Sequence, residues 1–405
     1  MKIRSITYFD NPHFPLDAEV LKNAGSFIQE AQPAFEAAGY GVQTARFATP
    51  PFPWLLPNCE TETVVSYAQE LEAVAESAGF AYTAIGPALP EFPQSYTAIP
   101  EVIAHTKNVF ASGVMANAEM GLSLPAVRAC AQIIHALAPL DPNGFANLYF
   151  TALGNVPPEA PFFPAAYHAG GEPVFALAIE GADLAIEAFT QADSLASARQ
   201  NLINSLEYHG EKMGDVAGQL VGDWDITFGG IDYSLAPFPE EALSLGTALE
   251  RLGVPSVGRH ASLAGASFLA DTIDKANFPR TGFSGLMLPV LEDATLAARA
   301  AEGILSIKDL LLYSAVCGTG LDTLPLPGDT TPEQLNAILL DLAALSIRLD
   351  KPLTARLMPI PGKKTGQRTS FNFPFFANSR VLAVEAEPVK GHFAGNETFR
   401  LHPRK

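Results

Sequence analysis

The stretch TFGGIDYSLAPFP, Thr227–Pro239, decides how the rest of the chain is read. After two glycines it alternates, so that Asp232 and Ser234 share one face of a strand while Ile231, Tyr233 and Leu235 share the other. Barrels and open α/β sheets place ligand groups on such polar faces, near the C-terminal ends of strands. The plain alternative is a half-exposed strand with its polar side in water.

Working outward, short β-rich runs stand at 3–9, 41–47, 80–85, 108–115, 146–153, 174–179, 228–235, 282–290, 321–326 and 353–360. Segments of helical period lie between them at 18–38, 62–77, 124–137, 195–221, 240–252, 262–275 and 332–349. About ten strands in βα alternation predict an α/β fold, either a sheet closed into a barrel or a large doubly wound sheet. Two stretches break the rhythm. Pro50–Pro57 is proline-rich, and NVPPEAPFFPAAYHAGGEP, Asn155–Pro173, is a long aperiodic loop whose aromatic residues favour packing over disorder.

At 405 residues the chain is long enough for several domains, although α/β barrels of this size fold as one unit. A composition of 48% hydrophobic and 17% charged residues supplies a large core. Forty-three acidic against 25 basic side chains give a net charge of −18, which repels phosphate backbones and anionic membranes, so neither nucleic acid nor membrane is an expected partner. Cys59, Cys130 and Cys317 are too few and too scattered for a disulfide framework or a zinc site. With no apolar leader and no long apolar run, a cytoplasmic protein is expected.

Familiar signatures are missing. No G-x-G-x-x-G follows a strand, and GKKT at Gly362 lacks the upstream glycine of a phosphate loop, so neither a nicotinamide nor an ATP motif is present. GFSGL around Ser284 has Leu286 where a nucleophile elbow needs glycine.

Several constellations remain. YHAGGEP sets His168 and Glu172 across two glycines, a spacing that suits a weak divalent-metal pair or a base with its orienter. GRHASLAG puts His260 near a helix N-terminus, where the positive end of the dipole keeps imidazole neutral and able to act as ligand or base. Glu292 and Asp293 in LPVLEDAT read as ordinary capping acids. Cys317 closes the apolar run LLLYSAV before Gly318 and Gly320, at a helix C-terminus that disfavours thiolate, so a buried structural cysteine competes with thiol or radical chemistry. Asp322, beyond the glycines, offers a further polar group.

From Arg348 to Val384 seven basic residues face Asp350 alone. That window is either a solvated loop or an anion clamp built from Arg356, Lys363 and Lys364.

Five segments carry a resemblance by their order: GQLVGDWDITFGGIDYSLAPFP (218–239), LGVPSVGRHASLAGASFLAD (252–271), GFSGLMLPVLEDA (282–294), AVCGTGLDTLPLPGDTTPEQL (315–335) and ARLMPIPGKK (355–364). KIRSIT, YTAIPEVIAHTKNVFASG and YHAGGEP extend it over nearly the whole chain. The sequence resembles the uncharacterised family catalogued as domain of unknown function 711, also uncharacterised protein family 0210.

The resemblance implies a closed α/β barrel of about ten strands, helices outside, similar to the barrel of pyruvate formate-lyase-like glycyl radical enzymes. It further implies a single barrel domain over 1–405 with a C-terminal extension from about 362. It does not imply radical chemistry, because the Arg-Val-x-Gly-aromatic signature of a glycyl radical is absent: RVLAVEA has Leu382 and Ala383 after Arg-Val. Its other implication is a link to a small ACT-domain protein.

The expected function is therefore an enzyme acting on an anionic metabolite by non-radical acid-base or metal-assisted chemistry. Asp232, His260 and Cys317 are the catalytic candidates; Ser234, Asp322, Arg356, Lys363 and Lys364 are candidate substrate contacts; His168 and Glu172 are the metal candidates. The alternatives are a non-catalytic metabolite sensor or scaffold and thiol chemistry at Cys317. A homodimer is the expected assembly.

Overall fold

Alternation within each strand sorts its residues between two environments, and β1 (Lys2–Phe9) shows how. Ile6 and Tyr8 join the large outer core, where Tyr8 meets Phe27 of α1 (Ala18–Ala37) at a ring distance of 5.5 Å. Ser5 and Thr7 turn the other way, their hydroxyls 3.3 Å apart, and Phe9 joins a separate inner cluster with Ala48, Ala84, Phe110 and Ala176. The structure is a computed structural model that describes residues 1–403; residues 404 and 405 of the expected domain lie outside the described residues.

Three further βα steps and a closing strand follow the same rule. They are β2 (Val42–Ala48) with α2 (Phe52–Leu55) and α3 (Thr61–Ser77); β3 (Tyr82–Ala88) with α4 (Ser95–His105); β4 (Val109–Asn117), short β5 (Gly121–Ser123) and α5 (Leu124–Leu137); and β6 (Phe150–Gly154). Strands β1, β2, β3, β4 and β6 are parallel neighbours in that order.

The second half repeats the theme. It comprises β7 (Val174–Glu180), α6 (Ala182–Thr190), α7 (Leu195–Asp223) and β8 (Thr227–Ala236), then α8 (Leu245–Arg251), α9 (Ser262–Lys275), α10 (Ala294–Ala301) and α11 (Ile307–Ser314). It ends with β9 (Gly320–Pro327), α12 (Pro332–Leu349), β10 (Leu353–Ile360) and a two-residue β11 (Thr398–Phe399). β7 runs antiparallel to β1 and β10 antiparallel to β6, so three parallel groups, β8-β7, β1 to β6 and β10-β9, meet at two antiparallel seams.

The result is one large mixed sheet, ordered β8-β7-β1-β2-β3-β4-β6-β10-β9, with helices around it. The expected closure is not a continuous ladder. The predicted strand at 282–290 forms no strand; the segment meets β8 and β9 at single bridges, Ile231 with Arg280 and Pro289 with Asp322. Its positive backbone angles at Gly282 and Ser284 bend it off the pleat.

Local signals set most helix ends. Capping boxes start α7 (Ser194 with Ser197) and α12 (Thr331 with Gln334), each satisfying backbone N–H groups that a helix start leaves orphaned. The helix predicted over 240–252 is shortened to α8, because Ser244 caps it by accepting from Thr247 N. The run predicted from 146 begins as a 3₁₀ turn and becomes strand only at Phe150. The sequence reading missed α4, which carries Pro100 inside it, and the short α6.

Beyond residue 360 the chain packs on the sheet with only a short 3₁₀ helix, Gly391–Ala394, before β11. Thr369 and Ser379 bond across a loop that carries Phe371, Phe373, Phe375 and Phe376. Leu382 N donates to Pro325 O, and β11 pairs antiparallel with β5.

Candidate functional site

The inner face of the sheet holds a cavity of about 90 Å³, lined by Asp232 and Ser234 of β8, by Arg4, Arg46 and Arg356, by Glu292, and by aromatic side chains. Three arginines in one recess is the feature that requires explanation, since a buried charge is costly unless it is paired.

Two of them are paired. The Arg356 guanidinium makes a fork to Asp322, Nε to Oδ1 at 2.6 Å and Nη2 to Oδ2 at 3.0 Å, and Nη2 also donates to Glu292 Oε1 at 2.7 Å. The other Glu292 oxygen takes the Arg4 guanidinium. Arg4 reaches the cavity because a bulge in β1 between Ile3 and Ser5 re-aims it. Burial pushes the Glu292 carboxyl up, but Arg4 and Arg356 together outweigh that and hold it below the usual range.

Arg46 is different. Its Nε donates to Thr44 Oγ1 at 3.0 Å, and among the described residues no carboxylate lies within ion-pair distance and the terminal nitrogens have no hydrogen-bond partner. The guanidinium instead lies over Phe163 at 5.1 Å and Tyr82 at 5.7 Å, a cation–π arrangement. Burial, reinforced by Arg4, pulls its pKa down to about 9, which leaves it charged at neutral pH.

Asp232 is 3% exposed and held in a turn made by the bent segment. Ser284 N and Ser234 Oγ donate to Oδ1 at 2.9 and 2.5 Å, and Phe283 N donates to Oδ2 at 3.0 Å. Burial raises its pKa despite these three donors. Gly282 makes the approach possible: a Cβ there would stand 2.3 Å from Asp232 Oδ2, and its φ is +61°.

Aromatic residues close the remaining sides. Phe162 and Phe163 come from the long loop after β6, and Phe373 and Phe375 from the C-terminal loop. Phe373 is braced by Phe145 at 5.1 Å and Phe376 at 5.2 Å.

The expected site residues separate into two groups. Asp232, Ser234 and Arg356 line the cavity, and Asp322 binds Arg356 from behind. His260 is exposed beside the α9 start and does not line it; nor do Lys363, partly exposed, and Lys364, fully exposed. Cys317 is buried in the outer core three residues beyond α11, its N–H donating to Tyr313 O. His168 is buried, but its Nδ1 lies 3.3 Å from Glu159 Oε1, while Glu172 is exposed. Among the described residues no three His, Cys, Asp or Glu side chains converge as metal ligands would.

Of the two acids read as caps, Asp293 is one: it accepts from Leu296 N at 2.9 Å and also holds Ser244 Oγ at 2.6 Å. Glu292 is not; it belongs to the cavity. Arg4, Arg46 and Glu292 are the site residues that sequence reasoning missed as such. The usable signal was the polar alternation Thr44, Arg46 in a strand whose other face is apolar.

Comparison with known proteins agrees with the sequence resemblance. Residues 1–373 match the family described as Uncharacterised ACR (DUF711). A UPF0210 protein of Pyrobaculum islandicum is 32% identical over 365 residues, 84% of this chain and 79% of that protein. One from Pyrobaculum arsenaticum is 34% identical over 277 residues, 66% of this chain and 60% of that protein. Among solved structures, an anaerobic ribonucleotide reductase aligns over 88% of this chain and 70% of its own, with a TM-score of 0.34 and 9% identity. With a family match that runs through every strand bordering the cavity, the chain belongs to the uncharacterised ACR family, DUF711.

Proposed function

We propose that the protein is an enzyme that binds a small organic anion in the inner cavity and carries out non-radical acid-base chemistry on it. Arg46 carries this reading: it is a charged guanidinium, without a carboxylate partner, facing an aromatic-lined recess. Asp232 is the acid-base candidate, since burial keeps its proton affinity above that of an ordinary carboxyl group. The segment 280–291 is read as the stave that closes the sheet into a barrel around this cavity, supported by its bridges to both end strands.

One observation favours a second reading. Both Asp232 oxygens already accept hydrogen bonds, which suits a rigid ligand sensor as well as a proton donor. Calorimetric titration with a panel of small carboxylates and the corresponding amines, followed by NMR detection of turnover of any ligand found, separates the two. The enzyme reading expects binding that is lost in Arg46→Gln and turnover that is lost in Asp232→Asn. Binding without turnover selects the sensor. A panel in which no anion binds, or binding unchanged by Arg46→Gln, removes both.

A further inference from the structure

We infer that the cavity selects a monocarboxylate with a short, uncharged, apolar body over dicarboxylates and phosphate. This rests on the anion-binding reading above and narrows it to a ligand class.

The selection follows from how the charges are already used. Glu292 bridges Arg4 and Arg356, and Asp322 occupies the fork of Arg356. Neither guanidinium has its charge left over for a guest. Arg46 alone remains: it lines the recess with its Nε committed to Thr44 and its terminal nitrogens without a hydrogen-bond partner among the described residues. One uncompensated cation neutralises one negative charge, and a planar guanidinium suits a carboxylate geometrically.

A second charge on the guest has nowhere to go. Beyond Arg46 and its ring partner Phe163 the apolar walls are Phe110, Phe162, Phe373 and Phe375, and the polar groups Gln43, Tyr82 and Ser234 are neutral, so none supplies a charge to balance a second one. Of the acids lining the cavity, Glu292 is already neutralised by Arg4 and Arg356 and Asp232 offers no positive charge, so neither balances a second carboxylate. The size also limits the guest. A cavity of about 90 Å³ holds several waters' worth of volume, enough for a short-chain acid. Methylenes placed against the aromatic walls add apolar burial without a polar partner.

Butyrate, succinate, butylammonium and inorganic phosphate test this on the intact chain by isothermal titration at constant ionic strength. Succinate replaces the methyl of butyrate by a carboxylate, and butylammonium reverses the sign of its head. Butyrate is expected to bind at least about tenfold tighter than each of the others, a difference well within titration accuracy. Arg46→Gln should weaken butyrate by about tenfold or more, and Arg46→Lys, which keeps the charge but not the fork, by less. Far-UV circular dichroism and the unfolding midpoint establish that both variants are folded; Arg46→Lys serves as the folded comparison if Arg46→Gln is not. Succinate or phosphate binding as tightly as butyrate overturns this inference and leaves the anion-binding reading standing. Failure of all three anions overturns both.

Discussion

The two faces of the central sheet are made by the same strands, yet they solve the problem of burial in opposite ways. The outer face carries Ile3, Phe47, Leu177, Tyr233 and Leu357 against helices, where apolar contact is non-directional and tolerant. The inner face carries Arg4, Arg46, Asp232, Asp322 and Arg356, whose burial is tolerable only with partners in fixed geometry. One face supplies bulk stability, and the other is satisfied in every charge except Arg46.

That contrast can be broken most sharply at Arg356. Arg356→Leu leaves Asp322 and Glu292 buried with their main partner gone, and should cost about 3–5 kcal/mol in chemical denaturation. A loss below about 1 kcal/mol would show that the inner network is not held by its pairing. On the outer side, Leu335→Ala in α12 removes a fully buried side chain and should cost about 2–5 kcal/mol through the void it leaves. It should leave butyrate affinity unchanged; a weakened affinity would mean the two faces are not separable. Gly282→Ala brings both effects together on a smaller scale. Its Cβ overlaps Asp232 Oδ2 in a left-handed backbone, so a loss of about 1–3 kcal/mol should accompany altered binding.

The pH dependence sharpens the comparison further. A carboxyl whose folded pKa is raised binds more protons in the folded state than in the unfolded one, so its contribution to stability falls as pH rises from the ordinary carboxylate value through the raised one. Urea midpoints of wild type and Asp232→Asn, measured across that window, should therefore diverge in favour of the Asn variant as pH increases. A constant offset would mean that Asp232 titrates normally. Glu292 works in the other direction: its lowered pKa gives stability above the ordinary carboxylate value that is lost as pH falls through the folded one. The smallest effect is expected at His260, where replacement by Ala should change stability by no more than about 0.5 kcal/mol and leave binding intact.

What could be read in advance followed the range of the signal. The faces of Thr227–Ala236 and the helix at 262–275 are local patterns, and both are present in the structure. The cavity's ion network is not local: Glu292 meets Arg356 across 64 positions and Arg4 across 288. Beside Asp293, a true cap, Glu292 looked like part of the same cap. Arg46 stood in plain alternation with Thr44 and was passed over because it belongs to no motif. Conversely, His260, Lys363 and Lys364 stood in conspicuous local motifs, which the fold carries to the surface. The segment 282–290 was the least legible, because glycine-rich sequence there bends where alternation alone would predict a straight strand.

The pairing of β11 with β5 bears on how anything enters or leaves the recess. The span bearing Phe373 and Phe375 is anchored by β10 before it and, after it, by the Leu382 N–H on Pro325 O and then this two-residue ladder, so it behaves as an arch with two abutments. For a guest of the proposed kind, exchange would then wait for the crown of the arch to breathe, at a rate set in part by residues about 25 positions away from the rings it passes.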